Sequence, residues 1–242
     1  MRKASVVYVF DQLFNHGNFA AIDDLVKPDL IQHNPVAADG ADGLRQIAIG
    51  RKAAYPQSRI DIKRVVAEED RVELHSNVIL MPGTKGLATV NFVRLEHGQL
   101  AEFWEVTQPI PETTVSGNDM FSTLTYPPVS WPDPSADSAV SKQIAGMLFT
   151  QAAVGRDVTA FDRYAAEPYY DHSAFVANGI AAAKQFFLDA FANYPETTID
   201  INQVIAEGDM VALCYQLRRT PDDPGLAAAD FIRVSQGRAV EF

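Results

Sequence analysis

Histidine side chains are the groups of this chain best suited to acid–base chemistry near neutral pH, because an imidazole gains or loses its proton in that range. The chain has five histidines. Asn77 follows His75 by two residues, so both side chains share one face of a predicted strand, and His33 stands near the end of another strand. Two histidines with an amide beside them could move protons to and from a substrate.

A second set of these positions lies 139 residues further along the chain (172 − 33 = 139). Its members are His172 in place of His33, Cys214 in place of His75 and Gln216 in place of Asn77. The two retained histidines, His33 and His172, are candidates for a base or a donor in a pocket. The alternative is a structural histidine that ties the end of a strand to a loop, since polar groups inside a fold are paired.

No metal site and no cofactor are predicted. The histidines are not clustered with Asp or Glu at the spacing of a ligand set. The sequence also lacks a glycine-rich phosphate loop and a G-x-S-x-G nucleophile motif. The single cysteine, Cys214, is interpreted as a small buried hydrophobe on a strand, because no basic neighbour in the local sequence favours its thiolate.

The offset of 139 residues reflects an internal duplication (194 − 55 = 139). Residues Tyr55–Phe103 align without a gap with Tyr194–Phe242. Over the longer ranges 31–103 and 170–242 there are 25 identities in 73 pairs. Shared composition does not produce so many identities, so a whole domain is repeated.

Two domains of similar size are predicted, over residues 1–112 and 136–242. The linker between them, residues 113–135, is rich in Pro, Ser and Thr, which interrupts both the helical and the strand periodicity. It also carries large apolar side chains, and it is therefore predicted to pack along the domains instead of lying free in water. These side chains are Met120, Phe121, Leu124, Tyr126 and Trp131.

Each unit is predicted to begin with helices and to end with strands. In the first unit a short strand over 29–34 precedes a helix over 44–55, which Pro56 ends. After Pro56 the hydrophobic period changes to two, which predicts four antiparallel strands with tight turns at 69–70 and 97–98. This order is typical of the α+β class, with helices covering one face of a curved sheet.

Net charge and the N-terminal residues restrict the partners and the location. A formal charge of −11 argues against nucleic acid or a membrane surface as partner, because both require clustered basic residues. In the first residues, MRKASVVYVFDQLF, Asp11 interrupts the apolar run, and no cleavage site of a signal peptide follows. A cytoplasmic protein is therefore expected, and the single cysteine fits a reducing compartment.

Four stretches of the first unit occur in the same order in a known family. They are the strand end QHNP, the helix end YP, the hairpin IKRVVAEED and the closing stretch FVRLEHGQLAEFW. On these motifs the unit resembles the SnoaL-like polyketide cyclases of the nuclear-transport-factor-two-like superfamily. The resemblance implies two tandem cone-shaped half-barrels, each a curved, mostly antiparallel sheet that wraps around N-terminal helices and holds an apolar pocket.

The resemblance also implies roles for individual residues. In the cyclases a strand aspartate is the acid–base group, and the matching position is Asn91 in the first unit and Asp230 in the second. Asp230 would remove a proton next to a carbonyl, with His172 or Tyr170 as donor, and burial would raise its pKa. The alternative is a solvated or hydrogen-bonded strand residue. The further catalytic candidates are His33 and His75, and the expected pocket residues are Asn77, Asn91, Trp104, Tyr170, Cys214 and Gln216.

Three functions are open at this point. The first is an enzyme that cyclises or isomerises an apolar carbonyl compound by acid–base chemistry without a cofactor, with Asp230 as the base. The second is a binding module that sequesters an apolar small molecule. The third is a structural protein whose units pair as an intramolecular pseudo-dimer, open to further pairing as a homo-oligomer, in which Asn91 marks the first unit as the scaffold half.

Overall fold

The computed structural model describes residues 2–124 and 131–242. The chain forms two compact units, residues 1–110 and residues 111–242, and each unit has its own hydrophobic core. Of the helices described in these ranges, none is long and apolar enough to cross a membrane.

The predicted linker, residues 113–135, falls within the second unit. Its backbone contacts that unit directly, because the N–H of Val115 donates to the carbonyl oxygen of Ala174 at 3.2 Å. Trp131 is 54% exposed, so not every apolar side chain of this segment is packed as predicted. Tyr126, another of these side chains, lies outside the described residues.

The first unit has the predicted order of helices and strands. Its elements are α1 (Arg2–Asp11), continued by a π-helical turn (Gln12–His16), α2 (Ala21–Leu25), β1 (Val26–Gln32), α3 (Gly40–Ala54), β2 (Arg59–Glu68), β3 (Arg71–Ile79), β4 (Leu87–Glu96) and β5 (Gln99–Pro109). The two tight turns fall at 69–70 and 97–98, as predicted. His97 and Gly98 both have positive φ, which is typical of a two-residue hairpin turn.

The second unit repeats this order. Its elements are α4 (Ser138–Phe149), continued by a π-helical turn (Thr150–Val154), α5 (Ala160–Tyr164), β6 (Ala165–Tyr170), α6 (Ile180–Asn193), β7 (Thr198–Glu207), β8 (Met210–Arg218), β9 (Leu226–Ser235) and β10 (Arg238–Glu241). Asp137 caps α4, because its carboxylate accepts hydrogen bonds from the backbone N–H groups of Ala139 and Val140.

Each unit contains one five-stranded sheet. The strand orders are β1-β5-β4-β3-β2 and β6-β10-β9-β8-β7. Neighbouring strands are antiparallel, except that β1 pairs with β5, and β6 with β10, in parallel. In the part of the chain that the structure describes, neither sheet closes into a barrel. The predicted α+β fold, with helices before a mostly antiparallel sheet, is confirmed in both units.

Helix α3 begins at Gly40, four residues before the start predicted at 44. Residues 36–43, VAADGADG, have a composition typical of a loop. This explains why the sequence predicted a later start for the helix. A Cβ atom at Gly43 would lie 1.9 Å from the carbonyl oxygen of Ala38. The absence of a side chain at Gly43 therefore lets the preceding loop pack against the first turn of the helix. Gly43 belongs to the helix and not to the loop.

The alternation of side chains along the strands assigns each residue either to an inner face, which contacts the helices, or to an outer face. Leu74 of β3 and Leu213 of β8 are core residues on the inner faces of the two sheets. His75 and Cys214 are the next residues along these strands, so they lie on the outer faces. This assignment decides which candidate residues can meet.

A side-chain amide closes the loop between the third and fourth strands of each unit. Asn77 Nδ2 donates to the carbonyl oxygen of Lys85 at 3.0 Å, and Gln216 Nε2 donates to that of Pro224 at 2.9 Å. The residue after the acceptor in the first unit is Gly86, which has a φ of 91°. Two of the residues predicted to line a pocket thus hold a hairpin loop.

Gly86→Ala is expected to destabilise the first unit, because positive φ disfavours a Cβ atom and the added atom would lie 2.2 Å from Asn77 Oδ1 and 2.8 Å from the carbonyl oxygen of Val78. We expect the free energy of unfolding to fall by about 1–3 kcal/mol in chemical denaturation. Gly146→Ala in α4, where nothing lies within 4 Å, is the control and should raise it by about 0.5–1 kcal/mol. The same change in both variants would contradict this account.

Candidate functional site

The second unit contains a cavity of about 520 Å³ between its helices and the inner face of its sheet. Pockets that bind small molecules have volumes of roughly 300–1,000 Å³. The walls are mostly aromatic, and the phenylalanines that enclose the cavity include Phe149, Phe161, Phe186, Phe187, Phe191 and Phe242. The cavity therefore suits a flat, apolar ligand.

Asp230 lies on β9 opposite Leu213 of β8, so its side chain points from the inner face into the cavity. Burial raises the pKa of Asp230 to about 7. A hydrogen bond from the Tyr215 hydroxyl opposes this increase, and the charge of Asp171 adds to it. The carboxyl group therefore changes its charge close to neutral pH.

Two phenols and a second carboxyl group accompany Asp230 in the cavity. Burial raises the pKa values of Tyr215 and Tyr169 well above the ordinary value, so both hydroxyls keep their protons and act as donors. Burial also raises the pKa of Asp171, although its Oδ1 accepts hydrogen bonds from the backbone N–H and the hydroxyl of Ser173. Among the described residues, no group of three His, Cys, Asp or Glu side chains could hold a metal ion.

The corresponding space in the first unit is filled by its own side chains. The guanidinium carbon of Arg51 lies 4.4 Å from the centre of the Phe14 ring. Asn91, at the position of Asp230, is 1% exposed and donates a hydrogen bond to Glu105 Oε2 at 3.2 Å. A smaller and more open pocket of about 420 Å³ is lined by Arg51 and Glu105 and does not reach Asn91.

Two differences between the copies explain why only the second unit encloses a cavity around this position. Ala153 stands where the first unit has Phe14, and Ala190 stands where it has Arg51. Both alanines line the cavity. Without the phenyl ring and the guanidinium group, the helices and the inner face of the sheet leave space between them, and Asp230 borders that space.

His33 and His172 hold strand ends together and do not line the cavity. His172 is buried, with Nε2 at 2.7 Å from Glu241 Oε1 and Nδ1 at 2.6 Å from the carbonyl oxygen of Asp119. His33 is more exposed, and its Nε2 lies 2.8 Å from Glu102 Oε1. This geometry fits the interpretation of both residues as structural histidines.

An arginine on the adjacent strand completes each of these pairs. Arg94 Nε lies 2.8 Å from Glu102 Oε2 in the first unit. In the second unit Arg233 Nε lies 3.7 Å from Glu241 Oε2. Each retained glutamate therefore bridges a histidine and an arginine, and we call these three residues the edge triad of a unit.

His75 and Cys214 lie on the outer faces of their sheets, on the opposite side from Asn91 and Asp230. Their cross-strand partners are Val90 and Ala229. His75 is 6% exposed and Cys214 is 3% exposed, so both are buried. The structure therefore does not bring His75 together with Asn91, or Cys214 together with Asp230.

Trp104 and Tyr170 are likewise absent from the lining of the cavity. Trp104 stacks on His33, with 4.5 Å between the ring centres and 4° between the ring planes. Tyr170 pairs with Glu241 across the edge of the sheet, whereas the preceding residue, Tyr169, lines the cavity. Of the candidate residues, only Asp230 lines the cavity of the second unit.

Tyr215, Tyr169 and Asp171 are site residues that the sequence did not identify. The strand pairing contains a signal for Tyr215. Asp230 pairs with Leu213, and Tyr215, two residues further along the strand, lies on the same face of the sheet. Tyr169 and Asp171 also show the two-residue spacing of one strand face. Spacing alone does not say which face points inward, and only the position of the core decides it.

A model of one protein family, described as the SnoaL-like domain, matches residues 6–103 and again residues 148–242. No curated protein is similar to the chain at a significant level. Among solved structures, TsrD from Streptomyces laurentii aligns with 19% identity over 45% of this chain and 91% of its own length, with a TM-score of 0.39. A SnoaL-like polyketide cyclase from Agrobacterium tumefaciens aligns with 17% identity over 45% of this chain and 91% of its own length, with a TM-score of 0.39.

The double substitution A153F/A190R is expected to close the cavity by restoring the side chains of the first unit. Binding of the neutral fluorophore N-phenyl-1-naphthylamine should then be lost, because its rings no longer find an apolar enclosure. Fluorescence titration measures the binding, and circular dichroism checks the fold. Ala192→Arg, at an exposed position of the same helix, is the control and should bind as the wild type does. Undiminished binding by a folded A153F/A190R protein would contradict this assignment.

Asp230→Asn is expected to raise the free energy of unfolding relative to the wild type, by an amount that grows as the pH rises from about 5 to about 7. A carboxyl group whose pKa is about 7 in the folded state and lower in the unfolded state favours unfolding as the pH rises between these values. Thermal midpoints measured from pH 5 to pH 8 should therefore diverge from those of the wild type and level off above about 7.

Asp157→Asn provides the matched control for this measurement. Hydrogen bonds from the Thr159 hydroxyl and from Arg163 lower the pKa of Asp157 to about 2, so its contribution to stability changes only in more acidic solutions. Its difference from the wild type should stay constant from pH 5 to pH 8. A constant difference for Asp230→Asn as well would show that the pKa of Asp230 is not raised in the folded protein.

Proposed function

We propose a function for this chain from the premise that it belongs to the SnoaL-like domain family, whose model matches both of its units. In this proposal the second unit catalyses acid–base chemistry on an apolar carbonyl compound without a cofactor. Asp230 is the base, and the product is a cyclised or isomerised compound. The first unit is a non-catalytic copy, because Asn91 cannot take up a proton.

The observation that supports this proposal most strongly is a carboxyl group with a pKa near neutral at the wall of an apolar cavity. A general base works best when its pKa lies near the working pH, and burial brings the pKa of Asp230 to about 7. The cavity is large enough for an organic substrate, at about 520 Å³. Asn91 and the side chains around it offer neither feature.

In the first step the carboxylate of Asp230 takes a proton from the carbon next to a substrate carbonyl. The electron pair of that C–H bond moves onto the carbonyl oxygen and forms an enolate. Tyr169 keeps its proton in the cavity and can stabilise this oxygen by donating a hydrogen bond. Tyr215 donates to Asp230, which orients the carboxylate.

In the second step the enolate carbon forms a new bond. Where a double bond is conjugated with the enolate, protonation by Asp230 at its far carbon moves the double bond and gives an isomer. Attack of the enolate carbon on a second carbonyl of the same molecule gives an aldol-type ring. In the aldol case the proton held by Asp230 passes to the new alkoxide. The aromatic walls, including Phe161 and Phe187, exclude water that would otherwise compete for the enolate.

A second candidate function is binding without chemistry, in which the same cavity sequesters an apolar molecule. The large share of phenylalanine in the walls favours it, because such walls bind flat apolar rings whether or not a reaction follows. The two functions differ in what Asp230 contributes. A binding module retains its function when Asp230 becomes a neutral amide, whereas a base-catalysed reaction does not.

We expect the wild-type protein to catalyse the ring opening of 5-nitrobenzisoxazole, a substrate that reports a base in an apolar site. The base removes the C–H proton, the N–O bond breaks and a coloured phenolate forms, so the reaction is followed by absorbance. The rate should rise with pH and level off above about 7, because only the ionised carboxylate acts. Asp230→Asn should lower it by roughly a hundredfold or more.

Asp162→Asn serves as the control for a general loss of negative charge. Asp162 is exposed, pairs with Lys184 on the surface of the same unit, and should be replaceable without a change in rate. A rate that is equal in Asp230→Asn and the wild type would overturn the catalytic assignment. Retained binding of N-phenyl-1-naphthylamine in that variant would then favour the binding module.

A further inference from the structure

We propose that the mouth of the cavity in the second unit contains an anion-binding site formed by Arg219 on the ring of Tyr194. The ligand class that follows is a flat, elongated carbonyl compound with a carboxylate or similar anionic group at the end remote from the carbonyl. This inference rests on the proposed function for the orientation of the ligand. The anion-binding site itself stands on the geometry of the mouth.

Arg219 belongs to the lining of the cavity, although it is exposed to solvent on its other side. Arg219 directly follows the last residue of β8. It lies two residues beyond Leu217 and four beyond Tyr215, so its side chain is on the same face of the strand as these two cavity-lining residues. The guanidinium carbon lies 4.9 Å from the centre of the Tyr194 ring. This contact holds the charge at the rim of the cavity.

The backbone of Arg219 is fixed by the loop that follows it. Its N–H donates to Asp223 Oδ2 at 3.0 Å, and the other oxygen of that carboxylate accepts from the N–H of Gly225 at 2.9 Å. These backbone hydrogen bonds lower the pKa of Asp223, and the charges of Arg219 and Arg218 add to the effect. The backbone from which the Arg219 side chain starts is therefore held in place, which reduces the ordering that ligand binding requires.

The guanidinium group of Arg219 has donors available for a ligand. Within residues 2–124 and 131–242, no carboxylate forms an ion pair with it. The neighbouring Arg218 is different, because it pairs with Asp200 Oδ2 at 2.6 Å and also donates to Gln216. An arginine presents a planar set of N–H groups that matches a carboxylate. Of the two consecutive arginines, Arg218 forms an ion pair, whereas the side chain of Arg219 forms none within the described residues.

The first unit provides an internal comparison for this site. Leu80 stands at the position of Arg219, whereas the tyrosine is retained as Tyr55. Leu80 and Tyr55 line the smaller pocket of that unit, so an apolar side chain stands where the second unit has the guanidinium group of Arg219. The cation at the rim is found in the unit with the deep cavity and the carboxyl group of Asp230, so the two features occur together.

The charges along the cavity give a ligand one preferred direction. The lining contains Asp230 and Asp171, whose charges interact, and the exposed Arg219. A third carboxylate of the lining, Asp189, is also exposed and accepts a hydrogen bond from Gln185 Nε2 at 2.8 Å. Arg219 is four residues beyond Tyr215, or about 13 Å along an extended strand. A ligand whose reacting carbon lies at Asp230, to which Tyr215 donates, must extend along the aromatic walls over a distance of this order to reach Arg219.

Two fluorophores with the same ring system test this site directly. 8-Anilinonaphthalene-1-sulfonate carries an anionic group, and N-phenyl-1-naphthylamine lacks it. Arg219→Gln should raise the Kd of the sulfonate roughly tenfold, since hydrogen bonds to a charged group are lost, and should change the Kd of the neutral probe by less than about twofold. Added salt should weaken sulfonate binding to the wild type and have little effect on the variant.

Arg218→Gln is the matched control, since it removes an adjacent arginine that already has an acidic partner. It should leave both Kd values unchanged, and A153F/A190R should abolish binding of both probes. Equal changes for the two probes in Arg219→Gln, or no change in either, would overturn the proposal. Sulfonate binding that survives A153F/A190R would also overturn it, because the anion would then bind elsewhere.

The probes separate this inference from the proposed catalytic role. Asp230→Asn should leave the effect of Arg219→Gln on sulfonate binding intact. If Asp230→Asn keeps the full rate of ring opening while Arg219→Gln weakens the sulfonate selectively, catalysis by Asp230 is excluded and the anion-binding site is supported. Selective loss of catalysis in Asp230→Asn, with no probe selectivity at Arg219, excludes only the anion-binding site.

Discussion

The two units differ because side chains fill the space between the helices and the inner face of the sheet in only one of them. In the first unit Phe14 and Arg51 occupy this space, and Asn91 bonds to a neighbouring carboxylate. In the second unit alanines at the equivalent positions leave a cavity, and Asp230 borders it. The raised pKa of Asp230 is therefore a consequence of packing, because loss of hydration is its main cause and the nearby charge of Asp171 is a lesser one.

The edge triads explain why several polar residues are identical in the two copies although the cavities differ. The first and last strands of each unit pair in parallel, so no hairpin turn joins them, and their register shifts within the pair. In the second unit His172, Glu241 and Arg233 connect the end of the first strand to the last two strands. This connection serves the fold of each unit, and it is needed whether or not the unit binds a ligand.

Local patterns in the sequence were sufficient to predict the fold. They were not sufficient to predict most residues of the candidate site. The duplication and the change of period after Pro56 predicted the order of helices and strands, because both depend on residues close together in the chain. The candidates His75 and Cys214 had suitable chemistry, but they lie on the outer faces of their sheets. A strand pattern defines two faces without naming the inner one, which is why Tyr215 and Tyr169 went unrecognised beside Asp230.

The sequence by itself determined that one α+β domain occurs twice in this chain, because repeated identities and hydrophobic periods need no knowledge of distant contacts. It also identified the position at which the copies differ most in chemistry, Asn91 against Asp230. Only the tertiary structure decided that the second unit is open around that position. The reason is physical: the space is bounded by side chains from separate helices and from the sheet, and Ala153 and Ala190 create a cavity only because they lie across from Asp230 in the folded unit.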